Sequence, residues 1–306
     1  MKTYTIAQMM DNEAIEGGSF SPDNSKLLIS SNRSGIYNMY TIPSTGGEMV
    51  PVTQSDSSSV FSISYFPRDE RMLFRMDNNG DEIYHIFVME TDGTHKDLTP
   101  EEGARSLFYQ WSQDRASFFY GSNKRDKRFM DLYEMDLGTM ESKLVYQNDD
   151  GYDVNVISPD KKYVALSKSI NTNDSDLFLY NIQTKELTKI NENQSGNNGQ
   201  DFSHDGSAFY YTTDDGSEFA YLMKYKMEDG SHEKAMARDW DIVGSYFTHN
   251  GTYQVTYINE DAKSTIEVME VATGKNIDLP TVENMEITSV SFSDDETMMR
   301  FYAGGS

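Results

Sequence analysis

The sequence predicts an all-β propeller of four-stranded blades, and three observations carry that prediction. First, one short signature recurs seven times: Phe20-Ser21-Pro22-Asp23, Phe66-Pro67-Arg68-Asp69, Trp111-Ser112-Gln113-Asp114, Ile157-Ser158-Pro159-Asp160, Phe202-Ser203-His204-Asp205, Phe247-Thr248-His249-Asn250 and Phe292-Ser293-Asp294-Asp295. Second, the steps between the closing residues (Asp23, Asp69, Asp114, Asp160, Asp205, Asn250 and Asp295) are 46, 45, 46, 45, 45 and 45 residues. A fixed period of about 40–45 residues marks a repeat architecture with four strands per unit. Third, the chain is 37% hydrophobic yet 12% aromatic, with 20 Tyr and 16 Phe, the residue types that sheets bury. Each blade covers its faces with its neighbours, so residues 1–306 are expected to form a single propeller domain.

The elements follow in order. Thr5 to Met10 is expected to form one helical turn with Thr3 or Thr5 as its cap. In the first blade, strand A leads into the turn Ser21-Pro22-Asp23-Asn24, where proline presets φ and the acid caps the turn. Strand B is Lys26 to Ser30, and its run Leu27-Leu28-Ile29 suits a strand covered on both faces. Strand C is Tyr37 to Ile42, and strand D lies near Met49 to Thr53. Later C strands are expected at Tyr84–Met89, Asp131–Met135, Asp176–Tyr180, Tyr221–Tyr225 and Thr265–Met269. The C–D turns carry Asp and Gly, as in Thr91-Asp92-Gly93-Thr94 and Glu228-Asp229-Gly230-Ser231, where positive φ or a side-chain cap is needed. The seventh repeat has strand A near Thr288–Phe292 and strand B near Thr297–Tyr302. Its strands C and D are absent from this end, so the expectation is a seven-bladed type with the last blade incomplete; a closed six-blade body with a docked extra hairpin is the alternative.

The formal net charge is −24. Nucleic acid is an unfavourable partner for such a chain, because binding it needs Lys and Arg to neutralise phosphates. An anionic membrane surface is disfavoured for the same reason. The acidity reads chiefly as a solvated surface. There are no cysteines, which removes disulfides, thiolate metal sites and a Cys nucleophile, and fits either a cytoplasmic or a periplasmic address. Met1-Lys2-Thr3-Tyr4-Thr5-Ile6 has no apolar signal core, and no stretch reaches the ~18 apolar residues of a membrane helix.

Four stretches go beyond a generic repeat. They are Gly18 to Asp23 with Ser30 to Asn38; Asn79-Gly80-Asp81-Glu82-Ile83-Tyr84-His85-Ile86-Phe87 closing on Asp97-Leu98-Thr99-Pro100; Trp111-Ser112 with Asn123 to Tyr133; and Asp239-Trp240-Asp241. With these, the chain from about Tyr4 to Tyr302 resembles the N-terminal propeller of prolyl oligopeptidase-family serine peptidases, in particular the acylaminoacyl-peptidase and dipeptidyl-peptidase-like branches. The Ser-Pro-Asp repeat alone is shared with Tol-system propellers. The resemblance implies a propeller that roofs an α/β-hydrolase domain, admits peptides and excludes folded proteins. It implies two partners, a C-terminal hydrolase domain of the same protein and a peptide substrate. The Ser-His-Asp triad would belong to that domain. This chain has no Gly-x-Ser-x-Gly elbow: Gly17-Gly18-Ser19 is followed by Phe20-Ser21. It is therefore not expected to be an enzyme by itself, and neither cofactor nor metal is expected. Glu101-Glu102, in a turn after Thr99-Pro100, does not match the helical Glu-Glu segment by which the dipeptidyl-peptidase branch holds a substrate amine.

Five residues are the candidate interdomain or substrate-facing set. Asp81 and Glu82 follow Asp77-Asn78-Asn79-Gly80, a run with oxygen-ligand character that lacks the spacing of a Ca²⁺ loop. A polar B–C loop accounts for it, and a substrate amine is the functional alternative. Arg125, Asp126 and Arg128 lie in Asn123 to Arg128, a basic loop in an acidic chain. Arg can grip a carboxylate bidentately, whereas a solvated loop with weak ion pairs is the plainer account. His204 and His249 hold equivalent turn positions, Trp111 stands at an anchor and reads as core, and Trp240 either lines a channel or begins a strand. A stand-alone Tol-like scaffold for protein binding is the alternative function. A channel-site lyase or glycosidase would need His or acids clustered on the innermost strands.

Overall fold

The computed structural model describes residues 4–6, 8, 12–283 and 285–304. Over these it holds 26 strands in seven antiparallel sheets, six of four strands and one of two. The first sheet is β1 (Ile15–Phe20), β2 (Lys26–Ser31), β3 (Asn38–Pro43) and β4 (Val50–Pro51). The second is β5 (Val60–Tyr65), β6 (Met72–Met76), β7 (His85–Met89) and β8 (His95–Asp97). The third is β9 (Ser106–Trp111), β10 (Ser117–Ser122), β11 (Asp131–Asp136) and β12 (Ser142–Tyr146). The fourth is β13 (Asp153–Ile157), β14 (Tyr163–Ser169), β15 (Ser175–Asn181) and β16 (Leu187–Lys189). The fifth is β17 (Asn197–Phe202), β18 (Ala208–Thr213), β19 (Tyr221–Lys226) and β20 (His232–Met236). The sixth is β21 (Asp241–Phe247), β22 (Tyr253–Glu260), β23 (Lys263–Glu270) and β24 (Lys275–Ile277). The last pairs β25 (Glu286–Phe292) with β26 (Met299–Gly304).

Within every sheet the strands follow chain order, so each is a propeller blade of strands A to D, with A and D as its edges. Among the described residues there are thus six complete blades, and the seventh anchor heads a two-stranded sheet. The helical turn expected before the first blade leaves a trace in Ile6 and Gln8. Thr5 Oγ1 accepts the Gln8 N–H at 3.2 Å, and Gln8 Oε1 accepts the Thr5 N–H at 3.1 Å, a reciprocal cap. Thr3, Met9 and Met10 lie outside the described residues. By its contacts the chain forms two compact units, Met1–Phe108 with Gly121–Lys127, and Tyr109–Tyr120 with Arg128–Ser306, so the dividing line runs through the third sheet.

The recurring signature is a polar lock on the A–B turn. In the first turn the Ser21 hydroxyl donates to Asp23 Oδ1 at 2.7 Å and accepts the Lys26 N–H at 3.0 Å. The same pair of bonds recurs at Ser112, Ser158, Ser203 and Ser293. The acid also accepts the N–H two residues on, as Asp205 does from Ser207 at 3.0 Å. In the second turn Pro67 stands in the serine place, and Arg71 supplies the donors instead, Nε and Nη2 each at 2.9 Å from Asp69. The residue after the anchor acid adopts the left-handed conformation in six of the seven turns: Asn24, Arg115, Lys161, Gly206, Gly251 and Glu296. Gly206 and Gly251 hold it without steric cost, whereas the larger side chains do not.

Packing between blades supplies the cores. In the first unit Leu28 and Met39 of one sheet meet Val60, Tyr65, Phe74 and Met89 of the next. In the second unit Val156, Ala165, Leu177 and Leu179 meet Phe202, Phe209 and Tyr211. Polar clips join A strands that no ladder pairs. Ser19 Oγ accepts the Tyr65 N–H at 3.1 Å, and Gln110 both donates to the Ile157 carbonyl and accepts its N–H. Gln200 accepts the Ser245 N–H, and Asp201 Oδ2 the Phe247 N–H, each at 2.8 Å. Strand A also carries a β-bulge in the first, second, fourth, fifth, sixth and seventh sheets. A bulge re-aims the extra side chain, as at Gln200.

Two acids four residues apart respond oppositely to pH. Hydrogen bonds from Ser203 and Ser207 hold Asp205 at about 2, below its ordinary 3.8. Its contribution to stability is therefore present above pH ~4 and lost as pH falls through ~2. Burial raises Asp201 to about 7, against the pull of the Phe247 and Phe202 N–H groups. Its contribution is full below its unfolded value and lost as pH rises through ~7. We expect Asp205→Asn to flatten the acid limb of a thermal-melting profile. Relative to Asp201→Asn, the unaltered chain should lose up to about 1.4 kcal/mol per pH unit between pH ~4 and ~7. Parallel profiles for the unaltered chain and Asp201→Asn across that window would refute the second assignment.

Candidate functional site

In a four-stranded meander the B–C loop and the D-to-A connection lie at one end of the sheet, and the A–B and C–D turns at the other. All five candidate residues sit in B–C loops, at the first of these ends. Asp81 and Glu82 are exposed in the loop between β6 and β7. The Asp81 carboxylate is engaged: Oδ1 accepts the Asn78 N–H at 3.2 Å and the Ile83 N–H at 3.0 Å. Glu82 has a φ of 59°, and its N–H reaches Asp77 Oδ2 at 3.3 Å. Asp81 therefore shapes the loop, and Glu82 presents its side chain to solvent. Asp77 itself is buried, and its Oδ1 has no partner among the described residues.

Beside this loop stands a group that the sequence reading did not single out. Phe61 and Arg75 are direct cross-strand partners on β5 and β6. The Arg75 guanidinium lies 5.0 Å from the Phe61 ring centre and 4.9 Å from that of Tyr84. Those two rings meet edge to face, 6.0 Å apart at 73°, so the cation is wedged in an aromatic corner. Tyr37 packs on Phe61 at 4.7 Å and donates its hydroxyl to Glu16 Oε1 at 2.8 Å. A pocket of about 220 Å³ opens against this corner, lined by Glu16, Ser30, Phe61, Ser62, Arg75 and Phe108 among others. The available signal was Arg75 itself, one charge inside the apolar strand Met72-Leu73-Phe74-Arg75-Met76.

In the basic loop Arg125 is exposed and Asp126 half-buried, both in the first unit, while Arg128 is exposed in the second. The Arg128 guanidinium lies 5.0 Å over the Phe129 ring. Two neighbouring bases fasten the loop to the turn before the third sheet: Lys124 pairs with Glu101 at 3.3 Å, and Lys127 donates to the Gly103 carbonyl at 2.6 Å. Glu101 and Glu102 lie in that turn and not in a helix. Trp240 is exposed just before β21, against Phe219 at 5.8 Å, and Trp111 packs edge-on to Phe118 at 5.5 Å.

At the opposite end, the A–B turns of the second unit form a polar node. Arg115 pairs with Asp294 at 2.5 Å, Gln113 donates to the His249 carbonyl at 2.8 Å, and Glu296 accepts the Asn250 N–H at 2.5 Å. His204 Nδ1 lies 3.1 Å from the same His249 carbonyl. Burial, and then the Arg115 charge, push the His249 imidazole below its ordinary value. A second network surrounds buried Glu134, whose Oε1 takes Ser117 at 2.6 Å and Lys161 at 3.0 Å, and whose Oε2 takes Lys143 at 2.8 Å. Burial alone would raise this carboxyl; the three donors outweigh it and hold it below the usual range. Both clusters are bonded internally and join blades. Among the described residues no three His, Asp or Glu side chains group closely enough to hold a metal ion.

With this geometry in view, the relatives can be placed. The family profile of the prolyl oligopeptidase N-terminal beta-propeller domain matches residues 53–303. A dipeptidyl aminopeptidase BIII of Pseudoxanthomonas mexicana is 26% identical over 132 residues, 42% of this chain and 19% of that protein. Prolyl oligopeptidase B from Galerina marginata superposes with a TM-score of 0.67 at 15% identity, covering 96% of this chain and 47% of that one. An oligogalacturonate lyase in complex with manganese superposes at 0.69 and 15% identity, covering 94% and 86%. At such identities the structural likeness speaks for the fold alone. The chain spans about half the length of the oligopeptidase, and the matched segment under a fifth of the aminopeptidase.

The left-handed residues that cross between blades give a direct test. Lys161, with a φ of 57°, bridges Glu134 and Asp114. Glycine would relieve that conformation by about 1 kcal/mol. It would also remove one of three donors from a buried carboxylate that keeps Ser117 and Lys143, at a cost of about 1.5–3 kcal/mol. Lys161→Gly should therefore destabilise the chain in urea unfolding, although glycine is the preferred residue for that turn. A gain in stability would mean that the bridge contributes nothing.

Proposed function

Since the chain belongs to the family of prolyl oligopeptidase N-terminal β-propeller domains, we propose that it is the non-catalytic propeller of a serine peptidase acting on peptides. The observation that carries this reading is the family match over residues 53–303, most of the chain. In this reading the propeller roofs a C-terminal α/β-hydrolase domain of the same protein, and that domain brings the nucleophile. The propeller admits extended peptides and keeps folded proteins out by size.

We assign the B–C end of the blades as the surface turned to the hydrolase and the substrate. It carries the five candidates Asp81, Glu82, Arg125, Asp126 and Arg128. Glu82 and Arg125 suit that role best, being exposed at loop tips; Asp81 acts through the loop it caps. In the second unit the same ends of the blades carry Asp149, Asp150, Asp214, Asp215, Asp239 and Asp241. An excess of one sign raises the local concentration of oppositely charged ligands. Peptides with a free amine or basic side chains would gather there at low ionic strength.

The test is the native protein from its source cells, recovered with an antibody to this propeller and treated with a fluorophosphonate probe. A labelled polypeptide longer than this chain by about 250 residues, an upper-range domain length, is the expected result. A native polypeptide of this size that takes no label would overturn the reading. For the gating step, Glu82→Lys in the whole enzyme should change kcat/KM for cationic peptides by roughly 3- to 10-fold at low salt and little at high salt. An unchanged ratio at both ionic strengths would remove Glu82 from the substrate path.

A further inference from the structure

We propose that the aromatic corner holding Arg75 is a carboxylate-binding subsite, which receives an acidic end or side chain of a peptide. The inference deepens the reading above by giving one part of the propeller a ligand chemistry of its own. Four observations within the first unit carry it.

The first is the state of the guanidinium. Arg75 is half-buried, and among the described residues its contacts are the two rings; no hydrogen bond or ion pair engages its N–H groups. The chain has 50 acidic residues against 26 basic ones, so an arginine without a carboxylate is unusual for its surroundings. Arg71, four residues earlier, is by contrast held bidentately by Asp69. A guanidinium has five donors in a planar fork, and a carboxylate matches that fork.

The second is preorganisation. Phe61 faces Arg75 across the β5–β6 ladder, and Tyr84 closes the other side. Stacking on two rings fixes the long side chain before a ligand arrives, so little rotamer freedom remains to be lost on binding. The rings hold the cation on two sides, and among the described residues no acceptor takes its N–H groups.

The third is space. The adjoining pocket of about 220 Å³ is smaller than the ~300 Å³ and upward of a whole-ligand site. It suits one terminal group. Leu107 and Phe108 form an apolar wall, and the Ser30 and Ser62 hydroxyls already bond each other at 2.9 Å. Arg75 is thus the strong donor on this pocket.

The fourth is the disposition of the nearby acids. Glu16 lines the same pocket, yet its Oε1 is taken by the Tyr37 hydroxyl and it makes no ion pair with Arg75. Asp77 is buried and turned to the Glu82 N–H, and Asp81 to the N–H groups of its own loop. None of these carboxylates forms an ion pair with Arg75 among the described residues, and the cation remains for a ligand.

The experiment uses the 306-residue chain and three rhodamine-labelled hexapeptides with one neutral core. One ends in a free carboxylate, one is amidated and carries a Glu, and one is amidated with Gln in the same place. Anisotropy titration at low salt should show an acid-bearing peptide binding at least about tenfold tighter than the neutral one. Which of the two acid peptides binds tighter tells a chain end from a side chain. Arg75→Gln should abolish the difference, and Arg75→Lys should keep only part of it. If Arg75→Gln does not fold, Glu16→Gln is the second variant: loss of a like charge at the pocket should tighten the acid peptide roughly fivefold. Equal binding of all three peptides, binding of none, or a preference untouched by these variants would overturn the proposal. The assay reads the propeller alone, so its failure leaves the hydrolase reading standing, and a failed fluorophosphonate test would leave this subsite intact.

Discussion

A four-stranded blade has two free edges, and the handling of its strand A edge governs much else in this molecule. The N–H and C=O groups on an unpaired edge must find partners when they are covered. Here they are met by side chains, and the clips differ in chemistry. Ser19 serves one junction, Gln110 another with both ends of its amide, and Gln200 and Asp201 a third. At the last junction the Tyr246 hydroxyl donates to the Val290 carbonyl at 2.6 Å, and the Tyr257 hydroxyl accepts the Val290 N–H at 3.2 Å. These clips hold successive A strands side by side without fusing them into one sheet. The apolar packing of successive blades depends on that spacing.

The spacing in turn explains why the turns are so uniform and the positions just before them so varied. The Ser-x-Asp lock is local, since every bond closes within five residues, so the same residues solve it at nearly every blade. That is why the seven anchors and the strand order were legible in the sequence, and why the predicted C strands at Tyr221–Tyr225 and Asp131–Met135 lie within β19 and β11. The clips answer to a partner about 45 residues away, and any donor or acceptor of the right length will do. Ser19, Gln110, Asp201 and Tyr246 occupy one repeat position with no common chemistry, which no periodicity can reveal. The candidate site followed the same division. Placement of Asp81, Glu82, Arg125, Asp126 and Arg128 in B–C loops was readable from strand order. The turning of Asp81 onto its own loop, and the neighbouring corner of Phe61, Arg75 and Tyr84, depended on contacts across the sheet.

Charge is spent differently at the two ends of the blades. At the A–B turns the bulky left-handed residues Arg115, Lys161 and Glu296 each bond another blade, to Asp294, Glu134 and the Asn250 N–H respectively. Their conformational cost is offset by a cross-link that glycine cannot make. One glycine at this position is required by space: at Gly251 a Cβ would sit 2.6 Å from that of His204, whereas at Gly206 nothing lies within 4 Å. That end is therefore committed to holding blades together. At the B–C end several loops are longer, as those after β6 and β10, and an exposed charge such as Glu82 makes no bond to another blade among the described residues.

Such a division bears on where binding can evolve in a repeat protein. A turn that must satisfy its own backbone and bridge to another blade has few side chains to spare, whereas a loop that closes on one or two of its own carboxylates has several. The Asp77–Glu82 loop is of the second kind: the N–H groups of Asn78, Glu82 and Ile83 are met by Asp81 and Asp77, and its neighbour Arg75 is positioned by aromatic rings and not by a carboxylate. An ion pair would have neutralised that cation and fixed it for structure alone. Aromatic faces fix it while leaving its charge uncompensated. In an acidic chain such an arginine, beside a pocket and at the blade end that carries the exposed loops, is the residue on which the proposed carboxylate subsite rests.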